Sequence, residues 1–294
     1  MNKAAAFFGN YIRAAKKWKP QIFLAALALL YFAAAPKKEK AVTSALLNPK
    51  YQADKIELFE PGRGSLALSS AGSFWIGEFL SLEGAAERRL FFACDKEQIE
   101  KFLANLKALV ELIEISPREP SAEYYGLGDD KAFSIKVYQK GSVVSWLKFG
   151  SVDSVGRIFL RAQSNKKIWA ADSKTLSPYL TARADFWAAP EIFPKDIVGS
   201  DKKYRHGRLA LDSFGSPLLA TSVNWSGALE KKYDAGDGNI YRALFLPKTD
   251  GDYYCLFSAQ PSAQRPQEEK AALNKINSVF LASAWTFERV FESE

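Results

Sequence analysis

The chain has 294 residues, and 40 basic against 33 acidic side chains give it a formal net charge of +7. The whole excess lies in residues 1–40, with eight basic residues and one acidic residue, so residues 41–294 are electroneutral. An electroneutral body has no surplus of cations to neutralise phosphates, which argues against nucleic acid as a partner. One histidine and two cysteines outside any C-x-x-C pair give no donor set for a common metal centre or redox pair, so no metal or cofactor is expected. The two cysteines could form a disulfide or remain buried thiols.

Residues 21–36 are predicted to form a single-pass transmembrane anchor. The run 21–35 is uncharged and has lysines on both sides, which can reach the bilayer surface. Fifteen helical residues span about 22 Å, less than the hydrocarbon core of about 30 Å, so a cleaved signal peptide and a buried helix remain alternatives. The side chains expected to face lipid are Ile22, Phe23, Leu24, Leu27, Leu29, Leu30 and Phe32.

The flanking charges predict an orientation for this anchor. Five basic residues precede the span and three follow it, so the positive-inside rule places residues 1–20 in the cytoplasm. The expected location is therefore the bacterial inner membrane, with inner-membrane lipid as a partner and the bulk of the chain extracytoplasmic.

Residues 41–294 show mostly strand signals. Short apolar runs, several of them alternating with polar residues, are separated by turn clusters such as Pro61-Gly62-Arg63-Gly64 and predict antiparallel strands. Trp75, Trp146 and Trp169 lie within these runs and are expected to face the core. The predicted strands are 55–59, 65–70, 73–77, 112–115, 133–138, 143–149, 157–162, 167–171, 208–212, 217–223, 240–246, 253–258 and 284–290.

Two amphipathic helices interrupt the strands. Asp95, with Gln98 three positions later, predicts an N-cap and a capping box for the first. A shift of 170 positions aligns the two apolar stripes, although any two amphipathic helices can be aligned to match. A shorter helix is predicted near 173–182. The stripes comprise Ile99, Phe102, Leu103, Leu106, Leu109 and Val110 in the first helix, and Ala271, Leu273, Ile276, Val279 and Phe280 in the second.

The order of these elements predicts an α+β fold. A transmembrane helix would precede mostly antiparallel sheets, each packed with an amphipathic helix, in two related lobes. The first lobe is assigned to residues 54–195, and the second, interpreted as a shortened repeat, to residues 196–294.

A series of short motifs runs through residues 54–195: Tyr125-Gly126-Leu127, Leu147-Lys148-Phe149-Gly150, Arg157-Ile158-Phe159-Leu160-Arg161, Lys167-Ile168-Trp169 and Phe186-Trp187. In these motifs and their order, this part of the chain resembles the bacterial family known as domain of unknown function 4340. Members of that family have no established reaction and are often encoded beside ABC-type transporters and gliding-type auxiliary proteins. The resemblance therefore implies an accessory role in an envelope complex, with other envelope membrane proteins as partners.

No catalytic motif is present in the sequence. Nucleophile elbow, zinc-protease and P-loop patterns are all missing, so no catalytic residue is assigned. His206 could act as a general base for a serine such as Ser213, but nothing in its surroundings has a recognisable nucleophile setting. A surface histidine in a basic turn is the simpler interpretation.

Paired aromatic residues at the ends of elements are the candidate interface. Tyr124, Tyr125, Phe186 and Trp187 would mark a protein-binding surface if they are exposed. The expected function is a non-catalytic, membrane-anchored accessory or scaffold protein, such as an auxiliary subunit of an ABC-type transport or gliding-type complex. The alternatives are an extracytoplasmic glycan- or lipid-binding module with an aromatic-lined cleft between the lobes, and an envelope hydrolase that uses His206.

Overall fold

The computed structural model describes residues 40–81, 88–116, 122–165, 167–192, 194–198, 206–213, 215–234 and 238–290. Two antiparallel sheets dominate this part of the chain, and its helices are few and short. The prediction of an α+β fold is therefore wrong, because the fold is mostly β. Residues 41–294 form one compact unit, and the predicted lobe boundary falls inside it. The proposed relation between the two lobes stays a prediction.

The larger sheet has ten strands in the order β1-β6-β10-β9-β8-β7-β2-β3-β4-β5. Its strands are β1 (Lys40–Ala45), β2 (Lys55–Glu60), β3 (Gly64–Ala71), β4 (Phe74–Ser81), β5 (Arg88–Ala93), β6 (Leu109–Ser116), β7 (Phe133–Gln139), β8 (Ser142–Val152), β9 (Arg157–Ala162) and β10 (Ile168–Asp172).

The smaller sheet has five strands in the order β11-β15-β14-β13-β12. Its strands are β11 (Arg208–Leu209), β12 (Leu229–Asp234), β13 (Ile240–Pro247), β14 (Tyr253–Gln260) and β15 (Val279–Ala282). The described helices are α1 (Lys96–Lys107), α2 (Ala184–Trp187), α3 (Lys195–Val198), α4 (Gln267–Leu273) and α5 (Ala284–Arg289), with 3-10 turns at Ser177–Tyr179 and Ala220–Ser222.

The N-cap predicted for helix α1 is confirmed, whereas the predicted capping box is wrong, because the Gln98 side-chain amide donates to the Phe186 carbonyl and the Asp95 N–H donates to the Trp187 carbonyl at 2.9 Å. The Asp95 side chain accepts a hydrogen bond from the Gln98 backbone N–H at 3.1 Å, which satisfies one of the unpaired donors of the first turn. The helix buries Ile99, Phe102 and Leu106 in the hydrophobic core. The helix ends at Lys107, so Leu109 and Val110 of the predicted stripe belong to strand β6 instead.

The second predicted helix is shorter than its stripe. Helix α4 ends at Leu273, so Val279 and Phe280 belong to strand β15 instead. The predicted strand 284–290 is also wrong, because Ser283 accepts a hydrogen bond from the Thr286 N–H at 3.2 Å and starts helix α5 there. The predicted strand 217–223 contains only isolated bridges and a 3-10 turn.

One hydrophobic core runs through both sheets. Leu58 and Phe92 of the larger sheet and Phe245 and Phe257 of the smaller one belong to the same buried cluster. Cys94 and Cys255 are buried in it as free thiols, and burial raises the pKa of each well above its ordinary value. A disulfide between them is therefore not part of this fold.

Asn277 joins the two sheets at the free edge of strand β5. Its side-chain oxygen accepts from the Phe91 N–H at 2.7 Å, and its own N–H donates to the Phe91 carbonyl at 3.1 Å. Its amide nitrogen also donates to the Arg89 carbonyl at 3.1 Å. The asparagine thus occupies the place of a neighbouring strand and satisfies edge groups that would otherwise be unpaired.

A buried ion pair forms a second junction. Arg265 donates to Glu269 at 2.7 Å, to the Tyr241 hydroxyl at 3.0 Å and to the Ile197 carbonyl at 2.7 Å. Glu269 also accepts the Ser73 N–H at 2.9 Å, so the turn between β3 and β4 is tied to helix α4. Both side chains of the pair are about nine-tenths buried, with exposures of 10% and 8%.

No helix among the described residues has the length and apolarity needed to cross a bilayer. On this finding, the prediction of a single-pass inner-membrane protein with an extracytoplasmic body is corrected. The predicted anchor at 21–36, with its side chains from Ile22 to Phe32, and the predicted cytoplasmic segment 1–20 lie outside the described residues.

Candidate binding groove

The two faces of the larger sheet differ in character. Ile56 and Leu58 of strand β2 point into the core, whereas Lys55, Glu57 and Phe59 alternate with them and lie on the opposite, outer face. The neighbouring strands repeat the alternation, so the outer face carries polar, charged and aromatic side chains on a rigid framework.

A groove of about 660 Å³ crosses this outer face. It spans strands β8, β7, β2, β3 and β4 near the middle of the sheet, and its volume lies within the range typical of small-ligand sites. We call it the sheet groove. It is lined by Lys55, Glu57, Leu58, Phe59, Ser65, Leu66, Ala67, Glu78, Leu80, Asp129, Ala132, Ser134, Lys136, Trp146 and Lys148.

Strand register explains one row of its floor. Trp146 lies opposite Lys136, which lies opposite Glu57, and Glu57 in turn lies opposite Ala67 and then Glu78. Side chains opposite each other on one face stand about 5 Å apart, so each can contact the next. The methyl group of Ala67 between two longer carboxylates leaves a depression there.

The second row follows the same principle. From strand β8 to strand β4, successive cross-strand neighbours in this row are Lys148, Ser134, Phe59, Ser65 and Leu80. The small Ser65 and Ser134 flank Phe59, whose side chain is 39% exposed. Small and large residues therefore alternate along this second row across five strands.

Glu57 is the electrostatic centre of the groove. It accepts the Tyr138 hydroxyl at 2.6 Å, pairs with Lys55 at 2.8 Å and lies 3.9 Å from the Lys136 ammonium group. Burial raises the pKa of Glu57, but the hydrogen bonds from Lys55 and Tyr138 outweigh it and the net pKa is lowered. Glu57 is consequently ionised at neutral pH.

Tyr138 provides a test of this network. The pKa of Tyr138 is raised from 10.0 to about 12. Burial is the larger cause, and the hydrogen bond to the Glu57 carboxylate is the next. We expect tyrosine ring-carbon NMR to show this titration midpoint near 12, and Glu57→Gln to move it back towards 10. A raised pKa means that the fold favours the neutral phenol. The contribution of Tyr138 to the free energy of unfolding is therefore complete below pH 10 and is lost as the pH rises through 12.

Glu78→Gln is the matched control for the Tyr138 titration. Glu78 also lines the groove but pairs with Arg89 at 3.2 Å, and it does not perturb Tyr138. An unchanged Tyr138 midpoint in Glu57→Gln would show that the Glu57 contact is absent in solution.

Lys148 is a buried cation at one end of the groove. Its ammonium group pairs with Asp129, whose own carboxylate is largely exposed, and this contact lowers the pKa of Asp129. Ser134 is the cross-strand neighbour of Lys148. The Lys148 nitrogen pairs with Asp129, and among the described residues the Ser134 hydroxyl makes no hydrogen bond to it, so the two are not arranged as a Ser-Lys catalytic pair.

Trp146 lies on the outer face, so the prediction that it faces the core is wrong. The Lys136 ammonium lies 4.7 Å from the centre of its ring, a cation–π contact. The indole N–H is buried, and no acceptor for it exists among the described residues. A buried donor without an acceptor costs about 1–3 kcal/mol.

The loop 122–132 borders the groove beside strand β8. Leu127 is buried in a small cluster with Ala122 and Ile168, and the loop then continues to Asp129. The Tyr125 carbonyl accepts the Ser151 N–H at 3.0 Å, which ties the loop to the sheet.

Two glycines permit this close approach. Gly126 has a φ of 70°, a left-handed conformation that favours glycine. A Cβ atom at Gly150 would stand 2.1 Å from the Tyr125 carbonyl oxygen, so only glycine fits there. The motif Tyr125-Gly126-Leu127 therefore has a structural role in positioning the groove wall.

The predicted interface residues do not form one surface. Tyr124 is 86% exposed and stacks edge-on against Tyr125 at 5.1 Å, whereas Tyr125 packs on Phe159 at 4.6 Å. Trp187 is fully buried, so its assignment to a protein-binding surface is wrong.

Phe186 and Trp187 belong to an aromatic cluster of the core. Trp187 contacts Phe102 at 5.4 Å, Tyr179 at 6.2 Å and Phe186 at 5.1 Å between ring centres, and its N–H donates to the Thr181 carbonyl at 2.8 Å. Phe186 is partly buried beside it. The doublet ends a helix of four residues that fixes the connection after strand β10.

His206 lies away from the groove lining. It is exposed, forms an isolated bridge with Glu191, and its carbonyl accepts the Thr286 hydroxyl at 3.1 Å. Within the described ranges, no three histidine, cysteine, aspartate or glutamate side chains group closely enough to hold a metal ion.

Sequence reasoning missed the groove because its lining residues come from five strands and a loop. The available signal was the row of small polar-face residues, Ser65, Ala67 and Ser134, among longer neighbours. Comparisons of the chain with protein-family models, with curated proteins and with solved structures find no match. The resemblance to domain of unknown function 4340 stays a prediction.

Proposed function

We propose that this protein is a non-catalytic accessory protein that binds its partner or ligand in the sheet groove. The observation that carries the proposal is the groove itself, a depression of about 660 Å³ on a sheet face whose strands are paired on both sides. Its polar side chains are fixed by mutual contacts, as in Glu57 with Lys55 and Tyr138. Sites with this combination of concavity and preorganised polar groups are the usual places for recognition.

The chemistry of the groove favours binding over catalysis. Glu57 is engaged by three neighbours and Lys148 by Asp129, so these charged groups are held in mutual contacts, which suits recognition of a ligand by fixed side chains. The role of envelope accessory subunit, with an ABC-type complex as partner, rests on the family resemblance alone and stays a prediction.

Filling the groove tests the proposal. The tagged full chain is purified from its native cells, and bound proteins and carbohydrates are identified by mass spectrometry. We expect Ala67→Trp to lose the bound component, because an indole at Ala67 occupies the depression between Glu57 and Glu78. Ser65→Trp fills the second row and provides an independent variant.

Ser258→Trp is the matched control for these variants. Ser258 is exposed on strand β14 of the smaller sheet, so the same bulk is added outside the groove. Circular dichroism and melting temperature verify folding. If all variants retain the same bound material as the unaltered protein, the groove is not the binding site.

A further inference from the structure

We infer that the sheet groove binds a neutral, hydroxyl-rich chain, namely an uncharged oligosaccharide. This inference rests on the proposed function, because it names the ligand class of the same groove. Four features of the groove carry it: the pairing of its charges, the saturation of its backbone, its free hydroxyl groups and its exposed aromatic surface.

The charges of the groove cancel one another. Three lysines and three acidic residues line it, and each has an opposite charge within 4 Å. A charged ligand would have to break such a pair to gain a partner and would meet no net attraction on approach. The six lining residues are Lys55, Lys136, Lys148, Glu57, Glu78 and Asp129.

A neutral hydroxyl group avoids this cost. Each lysine ammonium has three donors and each carboxylate has several acceptor positions, so the pairs keep capacity for further hydrogen bonds. A sugar hydroxyl can donate and accept at the same time, and it can therefore bridge the two members of a pair without separating them. Hydrogen bonds to charged groups contribute more than those between neutral groups.

The backbone of the groove is closed to a peptide strand. Every strand beneath the groove has a paired strand on both sides, from β8 through β7, β2 and β3 to β4. Extended peptides commonly bind by adding to a free sheet edge, where unpaired N–H and C=O groups are available. The centre of a sheet offers only side chains, which suits a ligand whose polar groups are hydroxyls.

Free hydroxyl groups lie in the floor of the groove. The side-chain hydroxyls of Ser65 and Ser134 make no hydrogen bond to any other described residue. Both flank Phe59 in the second row. A bound chain of sugar rings would meet a donor and acceptor on each side of this ring.

Phe59 and Trp146 give the groove its apolar surface. Phe59 is 39% exposed, and the apolar C–H face of a pyranose ring can pack on such an aromatic surface. Trp146 contributes a buried N–H without an acceptor in the described part of the chain, and an incoming hydroxyl oxygen that reaches it would remove that penalty. The pattern of paired charges, free hydroxyls and aromatic surface matches an uncharged glycan.

A glycan array tests the inference directly. The fluorescently labelled full chain is applied to immobilised neutral glycans and to glycans that carry uronate or sulfate groups at equal density. Soluble cellohexaose and maltohexaose are then titrated by calorimetry, with a neutral Gly/Ser hexapeptide as the peptide probe. We expect saturable binding to neutral glycans. The affinity for charged glycans should be lower by about tenfold or more.

The groove variants give the test its specificity. We expect Ala67→Trp and Ser65→Trp to weaken glycan binding about tenfold or more, with Ser258→Trp unchanged. Absence of binding to any neutral glycan, equal binding to charged glycans, preference for the peptide or indifference to Ala67→Trp would each overturn the inference. If the material lost from Ala67→Trp in the cell experiment is a protein, the glycan assignment fails while the proposed function stands.

Discussion

Glu269→Ala is expected to lower the free energy of unfolding by about 3–5 kcal/mol, because it leaves the Arg265 guanidinium buried without its counter-ion. The loss would also free the Ser73 N–H, which Glu269 accepts at 2.9 Å, and loosen the β3–β4 turn. Denaturant unfolding at pH 7 measures the change.

The exposed pair of Glu97 and Lys101 is the control for Glu269. These side chains are more than 60% exposed and 3.9 Å apart, so Glu97→Ala should cost less than about 1 kcal/mol. A double variant, Arg265→Met with Glu269→Leu, removes both buried charges and should cost less than Glu269→Ala alone. A cost below about 1 kcal/mol for Glu269→Ala would contradict the buried pair.

Acid should reduce the difference between Glu269→Ala and the unaltered protein. Burial raises the pKa of Glu269, but hydrogen bonds from Arg265 and Ser73 outweigh it, so the pKa lies below its ordinary value of 4.5. A lowered pKa gives stability that is present above pH 4.5 and is lost as the pH falls through the folded value. The two melting temperatures should therefore converge below pH 4.5.

Trp187→Ala is expected to cost about 3–5 kcal/mol in stability through the cavity it leaves in the core. Its ring packs against Phe102, Tyr179 and Phe186, and its N–H donates to the Thr181 carbonyl. The change would leave that carbonyl without its donor. Thermal and urea unfolding of the full chain measure the effect.

Tyr124→Ala is the control for Trp187→Ala, because it removes an exposed aromatic side chain instead of a buried one. Tyr124 is 86% exposed, and its loss should change stability by no more than about 0.5 kcal/mol. Equal stability losses in the two variants would contradict the burial of Trp187.

The elements predicted correctly from the sequence are those with a clear hydrophobic period or a local capping residue. Strand β7 alternates buried and partly buried residues over 133–137, and the capping of α1 by Asp95 depends on neighbours three positions apart. Strand β12 escapes prediction because its sequence Leu229–Asp234 is rich in charge, as solvent-exposed edge strands often are. The segment 284–290 misleads because its aromatics alternate like a strand, while Ser283 starts a helix.

The groove was missed, and Trp146 and Trp187 were misplaced, for a different physical reason. Trp146 and Trp187 occur in similar apolar runs, yet strand register places one on the outer face and tertiary packing places the other in the core. Register between distant strands is not encoded in any local window. The charge balance around Glu57 likewise depends on Lys136 and Tyr138, which are about 80 positions away along the chain.

The closure of strand β5 by Asn277 has a consequence for the inheritance of this chain. Recombination that separated the two sheets would strip the asparagine from Phe91 and leave a bare strand able to recruit identical molecules into aggregates. The larger sheet therefore depends on the chain of the smaller one for a covered edge, which disfavours their use as independent modules. A single amide side chain thus limits the ways in which this fold can be rearranged during evolution.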